Sequence, residues 1–289
     1  MRRINKTNSR KRSGNKKSGT KSLPVALLLV VAVIYAGAQY MLSKDKEMRN
    51  PEDYKPSAEY LFNVRSTPGL SENIIEYDGF TVSYNPDYHI PNWVFWELTA
   101  DEAAGTEPRG TFAPDPDVDN CPLPSDYAHT GYDRGHICPA GDMKWNKDAM
   151  RQCFYMTNMV PQDPSLNRGA WNNLEQKCRQ RALSDSAILI ISGPILSKGK
   201  EDISEYLSRR RVAVPKRLFK VVFSPYAERP RMIGFIMPNE PLKGGMQPYA
   251  VSVDSVEAVS GMDFFSWLPD SIENALEKEC DFNKWSNMK

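Results

Sequence analysis

The sequence predicts an α+β fold in which a few helices flank one central sheet of mixed or antiparallel strands. The main observation is that seven short runs are typical of strands, whereas two stretches are typical of helices. The composition, 40% hydrophobic and 25% charged, is that of a globular protein and excludes collagen-like, coiled-coil and wholly disordered chains. The length of 289 residues allows one large domain or two small ones, with a substantial core.

Turn chemistry and alternation predict the first strands. Residues 73–77 and 80–84 flank an Asp-Gly pair, which favours a tight hairpin turn, and residues 93–98 form a third strand-like run. Residues 105–131 are rich in Gly, Pro and Asp and predict a long loop. Loops of that length in a compact domain are usually functional or disordered.

The remaining elements are predicted after this loop. Residues 154–157 resemble a short strand, and residues 170–183 have helical composition with one apolar side, formed by Trp171, Leu174, Cys178 and Ala182. Three further strands are predicted at residues 187–191, 218–223 and 232–237. A last helix, at about residues 271–279, precedes a polar tail.

The N-terminal part predicts a membrane segment. Residues 1–22 carry nine of the 37 Lys and Arg residues and no acidic residue, and residues 23–42 carry no charge. About 20 apolar residues match the thickness of a bilayer core, and the basic flank places the N-terminus in the cytoplasm. A cleaved signal peptide is the alternative, because Ala36-Gly37-Ala38 before Gln39 has the form of a cleavage site. Either interpretation exports the domain that follows.

The predicted organisation is a basic cytoplasmic segment (1–22), a transmembrane anchor or signal peptide (23–42), a linker (43–58) and a folded domain (59–284). A mitochondrial presequence is disfavoured because it would be amphipathic, and the first segment offers only Met1 and Ile4 as apolar side chains. Beyond that segment, 28 basic residues stand against 36 acidic ones, a net charge of −8. This balance excludes a broad basic surface for gripping nucleic acid.

Five cysteines would lie in a compartment that permits disulfides if the domain is exported. No two have the C-x-x-C spacing, which disfavours a zinc ribbon or a thioredoxin-like site. The odd number leaves at least one thiol unpaired, and both a disulfide framework and buried free thiols remain open. The five are Cys121, Cys138, Cys153, Cys178 and Cys280.

The candidate chemistry centres on one histidine. The sequence has three histidines, and only His136 lies in a polar cluster, Tyr132-Asp133-Arg134-Gly135-His136. Within about 45 residues downstream follow Asn158, Asn167, Glu175 and Arg179. The signatures of serine hydrolases, P-loop NTPases and zincins do not occur in the sequence.

Three ordered blocks carry a family resemblance. Residues 133–136 (Asp-Arg-Gly-His), 154–162 and 166–175 resemble the DNA/RNA non-specific endonuclease family, which includes endonuclease G and secreted bacterial nucleases. The similarity extends from about Gly79 to Phe282, with residues 253–265 resembling the closing segment of the family. It implies a ββα-metal site, with the catalytic histidine on a hairpin and the metal ligand on the following helix.

The resemblance also implies roles in phosphodiester hydrolysis, which needs an activated water, a Lewis acid and positive charge near the phosphate. His136 corresponds to the general base, and a neutral imidazole suits that role. Asn167 corresponds to the single protein ligand of Mg²⁺, with Mn²⁺ or another divalent cation as a substitute. On a helix opened by Asn167, Glu175 at i+8 could hold water around the cation, and Arg179 could reach the phosphate.

Some alternatives remain open at these positions. Asn167 could be a helix N-cap, and Glu175 with Arg179 could be a solvated i,i+4 pair. Arg109 resembles an upstream arginine of the family that contacts phosphate, with a merely solvated loop arginine as the alternative. Arg134 is expected to contact substrate or phosphate. Asp133 and Asn158 are expected to support the loop and the histidine region, Trp171 to belong to the core, and the three arginines at 209–211 to be solvated.

The sequence therefore predicts a membrane-tethered, exported endonuclease that cleaves DNA and RNA with little sequence preference and leaves 5′-phosphate ends. A catalytically silent nucleic-acid-binding module and a nucleotide phosphodiesterase on the same fold are the alternatives. A closed pocket instead of an open groove would favour the phosphodiesterase. The oligomeric state and any preference for DNA or RNA are not determined by the sequence.

Overall fold

The structure is a computed structural model, and it describes residues 64–286. A seven-stranded sheet forms its centre, in the spatial order β1-β2-β3-β6-β9-β10-β11, with every neighbouring pair antiparallel. The strands of this sheet are β1 (Asn73–Glu76), β2 (Thr81–Asn85), β3 (Ile90–Thr99), β6 (Ala187–Pro194), β9 (Arg217–Ser224), β10 (Arg231–Pro238) and β11 (Ala250–Val251). The α+β prediction is confirmed, and the sheet is antiparallel.

Two small antiparallel sheets and several helices surround the central sheet. The small sheets pair β4 (Asp133–His136) with β5 (Met159–Gln162), and β7 (Ile203–Leu207) with β8 (Val212–Pro215). The α-helices are α1 (Ala100–Ala103), α2 (Lys147–Gln152), α3 (Pro164–Leu166), α4 (Asn172–Asp185), α5 (Val253–Ser260), α6 (Asp270–Glu277) and α7 (Phe282–Ser286). A π-helical stretch, Asn167–Trp171, joins α3 to α4, and short 3-10 helices lie at Pro124–Tyr127, Met156–Asn158, Gly199–Asp202 and Gln247–Tyr249.

The first hairpin forms where the sequence predicts it. Tyr77 N donates to the carbonyl oxygen of Phe80 (2.9 Å) and closes the turn around the Asp-Gly pair. Gly79 packs so closely that a Cβ there would lie 2.6 Å from Met143 Sδ, so this turn position leaves no space for a side chain. The hairpin and the third strand are confirmed.

The central sheet buries apolar side chains on both faces. Along β3, Val94 and Trp96 belong to one core cluster, and Trp93 and Phe95 belong to the other, because side chains alternate between the two faces. The predicted apolar side of α4 is buried in the first cluster, and α5 contributes Val253 and Val256 to the second. We call these the α4 face and the α5 face of the sheet.

Two predictions about local structure are wrong. Residues 154–157 do not form a strand; Met156–Asn158 is a 3-10 turn, and the strand lies at Met159–Gln162, where it pairs with β4. The run is apolar because it is buried, and a short buried run does not distinguish a strand from a turn. The helix predicted at about residues 271–279 is also not the last one, since α7 follows it and packs Trp285 against Phe235 with ring centroids 5.2 Å apart.

Several predictions fall on residues outside the described range: the cytoplasmic segment (1–22), the anchor or signal (23–42), the linker (43–58) and the first five residues of the predicted domain (59–63). Within residues 64–286, none of the helices is both long and apolar enough to cross a membrane. All five cysteines are free thiols; four are buried, and Cys280 is exposed.

Candidate active site

His136 ends β4, and its position is fixed by the β4–β5 ribbon. His136 lies opposite Met159 in the register of the two strands. Gly135 leaves no space for a side chain, because a Cβ there would lie 2.7 Å from Cβ of Gln162. Fully buried Asn158 holds the backbone at Cys138, two residues after His136. Its Oδ1 accepts from Cys138 N (2.9 Å), and its Nδ2 donates to Cys138 O (2.8 Å).

Aromatic rings enclose the His136 imidazole. Phe154 packs edge-on at a centroid distance of 4.7 Å, and Phe112 lies at 5.4 Å. Nε2 of His136 is buried and has no hydrogen-bond partner among residues 64–286. Burial and, secondarily, the positive charge of Arg109 lower the pKa of His136 to about 3. The imidazole is therefore neutral near pH 7, and His136 lines a cleft.

Asn167 lies in the irregular stretch that leads into α4. Asp163 caps the preceding turn, since its Oδ1 accepts from Ser165 N (2.8 Å) and Leu166 N (3.1 Å). The alternative that Asn167 is a helix N-cap is therefore wrong. Gly169, at φ −104° and ψ −109°, breaks the regular helix between Asn167 and α4. The sequence predicted one regular helix from Asn167 to Arg179, with its site residues four positions apart. Only Glu175 and Arg179 lie together on a regular helix, α4, beyond the kink.

Asp133 connects the histidine strand to the Asn167 segment. Its Oδ2 accepts from Asn167 Nδ2 (2.9 Å) and Arg168 Nε (2.8 Å), and its Oδ1 accepts from Arg168 Nη2 (2.6 Å). Burial raises the pKa of Asp133, but the hydrogen bonds from Arg168 and Asn167 outweigh it, so the pKa is lowered overall. Because the amide nitrogen of Asn167 is bound to Asp133, its Oδ1 remains the group that can bind a cation.

Glu175 and Arg179 line the same cleft as His136 and Asn167. This cleft has a volume of about 400 Å³. Burial raises the pKa of Glu175 to about 7, and the positive charge of Lys220 opposes that rise. Arg179 does not form the solvated pair with Glu175; its Nη1 donates to buried Asp142 at 2.7 Å.

Two further arginines lie near the cleft. Arg109 is exposed at the cleft and stands over the Phe154 ring, 5.4 Å from its centroid. Arg134 stands over Phe112 at 4.7 Å, and its Nη1 donates to the carbonyl oxygen of Pro124 (3.2 Å). Arg134 borders an adjoining depression that also contains Arg109, Asp133 and Asn167. The structure thus brings together every site residue that the sequence predicts, with Asn158 behind His136.

Four residues beyond those predicted from the sequence also shape the site. Phe112 and Phe154 form the ring walls, Asp142 anchors Arg179, and Lys220 lies below Glu175 on the α4 face. Lys220 is 1% exposed, with Nζ 4.7 Å from the ring centroid of Trp96 and 4.8 Å from that of Trp171. A lysine within the apolar run of β9 was a signal that could have been noticed, and Phe154 opens the second block of the family resemblance. Nothing in the sequence singles out Phe112 or Asp142.

The donor set fits a hard divalent cation. The amide oxygen of Asn167 and the carboxylate of Glu175 share the cleft, and Mg²⁺ prefers oxygen ligands while keeping several of its waters. A larger cavity of about 690 Å³ lies at the first hairpin, and its lining contains none of the predicted site residues.

Comparisons with known proteins identify the family of the chain. The sequence pattern described as DNA/RNA non-specific endonuclease matches residues 57–271. The chain is 32% identical over 246 residues to a mitochondrial nuclease EXOG from Xenopus laevis, spanning 80% of this chain and 67% of that protein. It is 34% identical over 215 residues to a nuclease from Nostoc sp., and the match spans 70% of this chain and 76% of that protein.

A solved structure shows the same architecture. The crystal structure of an EndoG/EndoGI complex, described as showing the mechanism of EndoG inhibition, matches with a TM-score of 0.64 at 29% identity. The match covers 70% of this chain and 89% of that one. The fold and site thus define a nuclease of the α+β class. The chain belongs to the DNA/RNA non-specific endonuclease family and is an endonuclease.

Proposed function

We propose that the domain hydrolyses phosphodiester bonds of DNA and RNA in a Mg²⁺-dependent reaction, with His136 as the general base. The observation that carries this proposal is that His136, Asn167, Glu175 and Arg179 line one cleft, with Nε2 of His136 buried and unpartnered. Water held beside a neutral imidazole can lose its proton to the imidazole as the water oxygen bonds to phosphorus and the 3′ oxygen leaves.

Binding of the phosphate would change the basicity of His136. In the free protein, burial and Arg109 keep its pKa at about 3, which is low for a base near neutral pH. A substrate phosphate next to Arg109 carries the opposite charge, so it would raise the pKa of the imidazole. The base would therefore become stronger when substrate is present.

Arg179 and Arg109 are placed to hold the phosphate. Arg179 is oriented by Asp142 and lies against the backbone of Gly141, where a Cβ would be 2.8 Å from Cζ of the arginine. Arginine contacts to phosphate carry no base information, which supports low sequence specificity. Exposed Arg109 and Arg168 leave the cleft open at its edge, which favours a polymeric substrate over a closed nucleotide pocket.

Asn167 would hold the cation through Oδ1, with Glu175 orienting water around it. A bound Mg²⁺, or Mn²⁺ in its place, would supply positive charge to the phosphate as negative charge builds up in the transition state. Asp133 fixes the amide orientation of Asn167, so the donor atom is already positioned before the cation binds.

The experiment that tests this function compares wild type with Asn167→Ala on plasmid DNA and on RNA, with Mg²⁺ and with EDTA. We expect wild type to cut both polymers only with Mg²⁺ and to leave 5′-phosphate ends. Binding without cleavage under all conditions would indicate a silent module. Hydrolysis of dinucleotides but not of polymers would indicate a nucleotide phosphodiesterase.

We also propose that residues 23–42 anchor the domain outside the cytoplasm, with a cleaved signal as the alternative. The uncharged run and its basic flank support this topology. Relatives named as mitochondrial nucleases favour an organelle as a second candidate location. N-terminal sequencing of the mature protein distinguishes these cases: a start near Gln39 would mean cleavage, and fractionation with mitochondria would favour the second location.

A further inference from the structure

A cluster of carboxylates lies on the α5 face of the sheet, opposite the face covered by α4. Asp254 and Glu257 are three residues apart on α5, and Glu277 lies on α6. One carboxylate oxygen from each of the three lies within 4.8 Å of the others. Residues at i and i+3 share one side of a helix, so α5 presents two oxygens together toward α6.

The buried member of the cluster lacks a partner. Glu277 is 6% exposed, and its Oε1 makes no hydrogen bond with any of the residues that the structure describes. Buried carboxylates are ordinarily paired or bound to metal, because an isolated buried charge is costly. Glu277 therefore points to a ligand that completes the cluster.

Among the described residues, the charges that shift the pKa of Glu277 are all negative. Burial and then the charge of Glu257 raise the pKa of Glu277 to about 8. Arg65 is a positive charge that lowers the pKa of Glu273, another carboxylate near the cluster. The guanidinium of Arg65 is paired with Asp263 at 3.3 Å. Glu257 is held in position because its Oε1 accepts from Phe264 N at 2.8 Å, which leaves its other oxygen for the cluster.

We propose that Asp254, Glu257 and Glu277 bind a calcium-type divalent cation that joins α5 to α6. The donors are all carboxylate oxygens, which suits a hard cation. Two oxygens on opposite sides of a Ca²⁺ ion are about 4.6–5.2 Å apart. The three carboxylate oxygens lie within 4.8 Å of one another, so one Ca²⁺ ion can reach all three. Mg²⁺ fits such a set of protein carboxylates less well, because it usually keeps several of its waters.

This site is separate from the catalytic cleft and has a structural role. The two helices pack on the second core cluster, which also contains Phe264 and Leu268. The bound cation would hold the C-terminal helices on the sheet by joining their carboxylates. Hydrolysis at His136 does not depend on this cation.

The test measures thermal unfolding of the full-length protein during titration with CaCl₂ or MgCl₂. It is done in the Asn167→Ala background, which removes the proposed ligand in the catalytic cleft. At a Ca²⁺ concentration 100-fold above Kd, the midpoint of unfolding should rise by about 5–10 °C. The double variant Glu257→Gln/Glu277→Gln should lose this rise.

A matched control is Glu279→Gln, which removes an exposed carboxylate two residues beyond Glu277 and should keep the full rise. If the double variant does not fold, Asp254→Asn alone should weaken calcium binding at least tenfold by calorimetry. No rise with Ca²⁺, a rise that survives in the double variant, or a larger rise with Mg²⁺ would each overturn the proposal.

Discussion

Replacing His136 by alanine tests the proposed chemistry most directly. Removing a general base typically slows hydrolysis about 10²–10⁴-fold, which corresponds to roughly 3–5 kcal/mol of transition-state stabilisation. The packing lost is the contact of the imidazole with Phe112 and Phe154. At about 0.5–1.5 kcal/mol for each aromatic pair, the variant should be destabilised by about 1–3 kcal/mol and should still fold. DNA binding should stay within a few-fold of wild type because the arginines remain.

The pH dependence gives a second measurement on the same residue. The neutral imidazole is the active form, so kcat/KM should rise with pH through the pKa of His136 in the free protein. That pKa is lowered to about 3 by burial and Arg109, so His136 should add no rise above about pH 5. A rise near pH 7 belongs instead to Glu175, whose ionised form increases above its pKa of about 7.

The assay is the initial rate of supercoiled plasmid nicking at one saturating Mg²⁺ concentration. His89→Asn and His129→Asn are the matched controls; both residues have positive φ angles (56° and 60°), which asparagine tolerates better than alanine. Both controls should remain within a few-fold of wild type. Near-native nicking by His136→Ala, or an inactive His129→Asn, would refute the assignment of the base.

Three further predictions concern the cation and the charges below it. Asn167→Ala should lose most plasmid cleavage while keeping the circular dichroism spectrum of wild type, and EDTA should do the same to wild type; full activity in EDTA would contradict the Mg²⁺ mechanism. Below about pH 7 the apparent Mg²⁺ affinity of wild type should fall by up to tenfold per pH unit, since Glu175 must lose its proton; in Glu175→Gln this dependence should be absent. Lys220→Met should move the pH dependence of Mg²⁺ affinity to higher pH, because the charge of Lys220 lowers the pKa of Glu175 in wild type. A pH–rate profile that is unchanged or moves to lower pH would contradict this effect of Lys220 on Glu175.

Local signals in the sequence predicted the elements that local chemistry determines. The Asp-Gly turn, the apolar side of α4 and the long apolar strands each follow from periodicity or turn residues, and all are present. The strand expected at residues 154–157 was wrong, because this buried run makes an isolated bridge between Tyr155 and Ala113 and then enters a 3-10 turn. Pairing with β4 decides where β5 lies, and that contact is not local.

The site residues likewise divide into those that local sequence motifs identify and those whose roles depend on non-local contacts. His136 and Asn167 could be selected from their motifs, but the role of Asp133 as the link between them depends on the approach of β4 to the Asn167 segment. Asp142 and Arg179 are 37 residues apart, and their pairing follows only from the packing of α4 on the sheet. The π-helical kink at Gly169 could not be inferred from an ideal helical repeat, which placed Asn167 directly in line with Glu175.

The distribution of charge explains how an acidic domain can act on a polyanion. Residues beyond the first 22 have a net charge of −8, yet Arg109, Arg168 and Arg179 are gathered around the cleft. The carboxylates of α5 and α6 lie on the opposite face of the sheet, where negative charge repels nucleic acid. A polymer is therefore attracted to one edge of the domain, through few phosphate contacts. Since each neutralised phosphate contributes about −0.9 to the slope of log K against log salt, binding of duplex DNA should show only a shallow salt dependence.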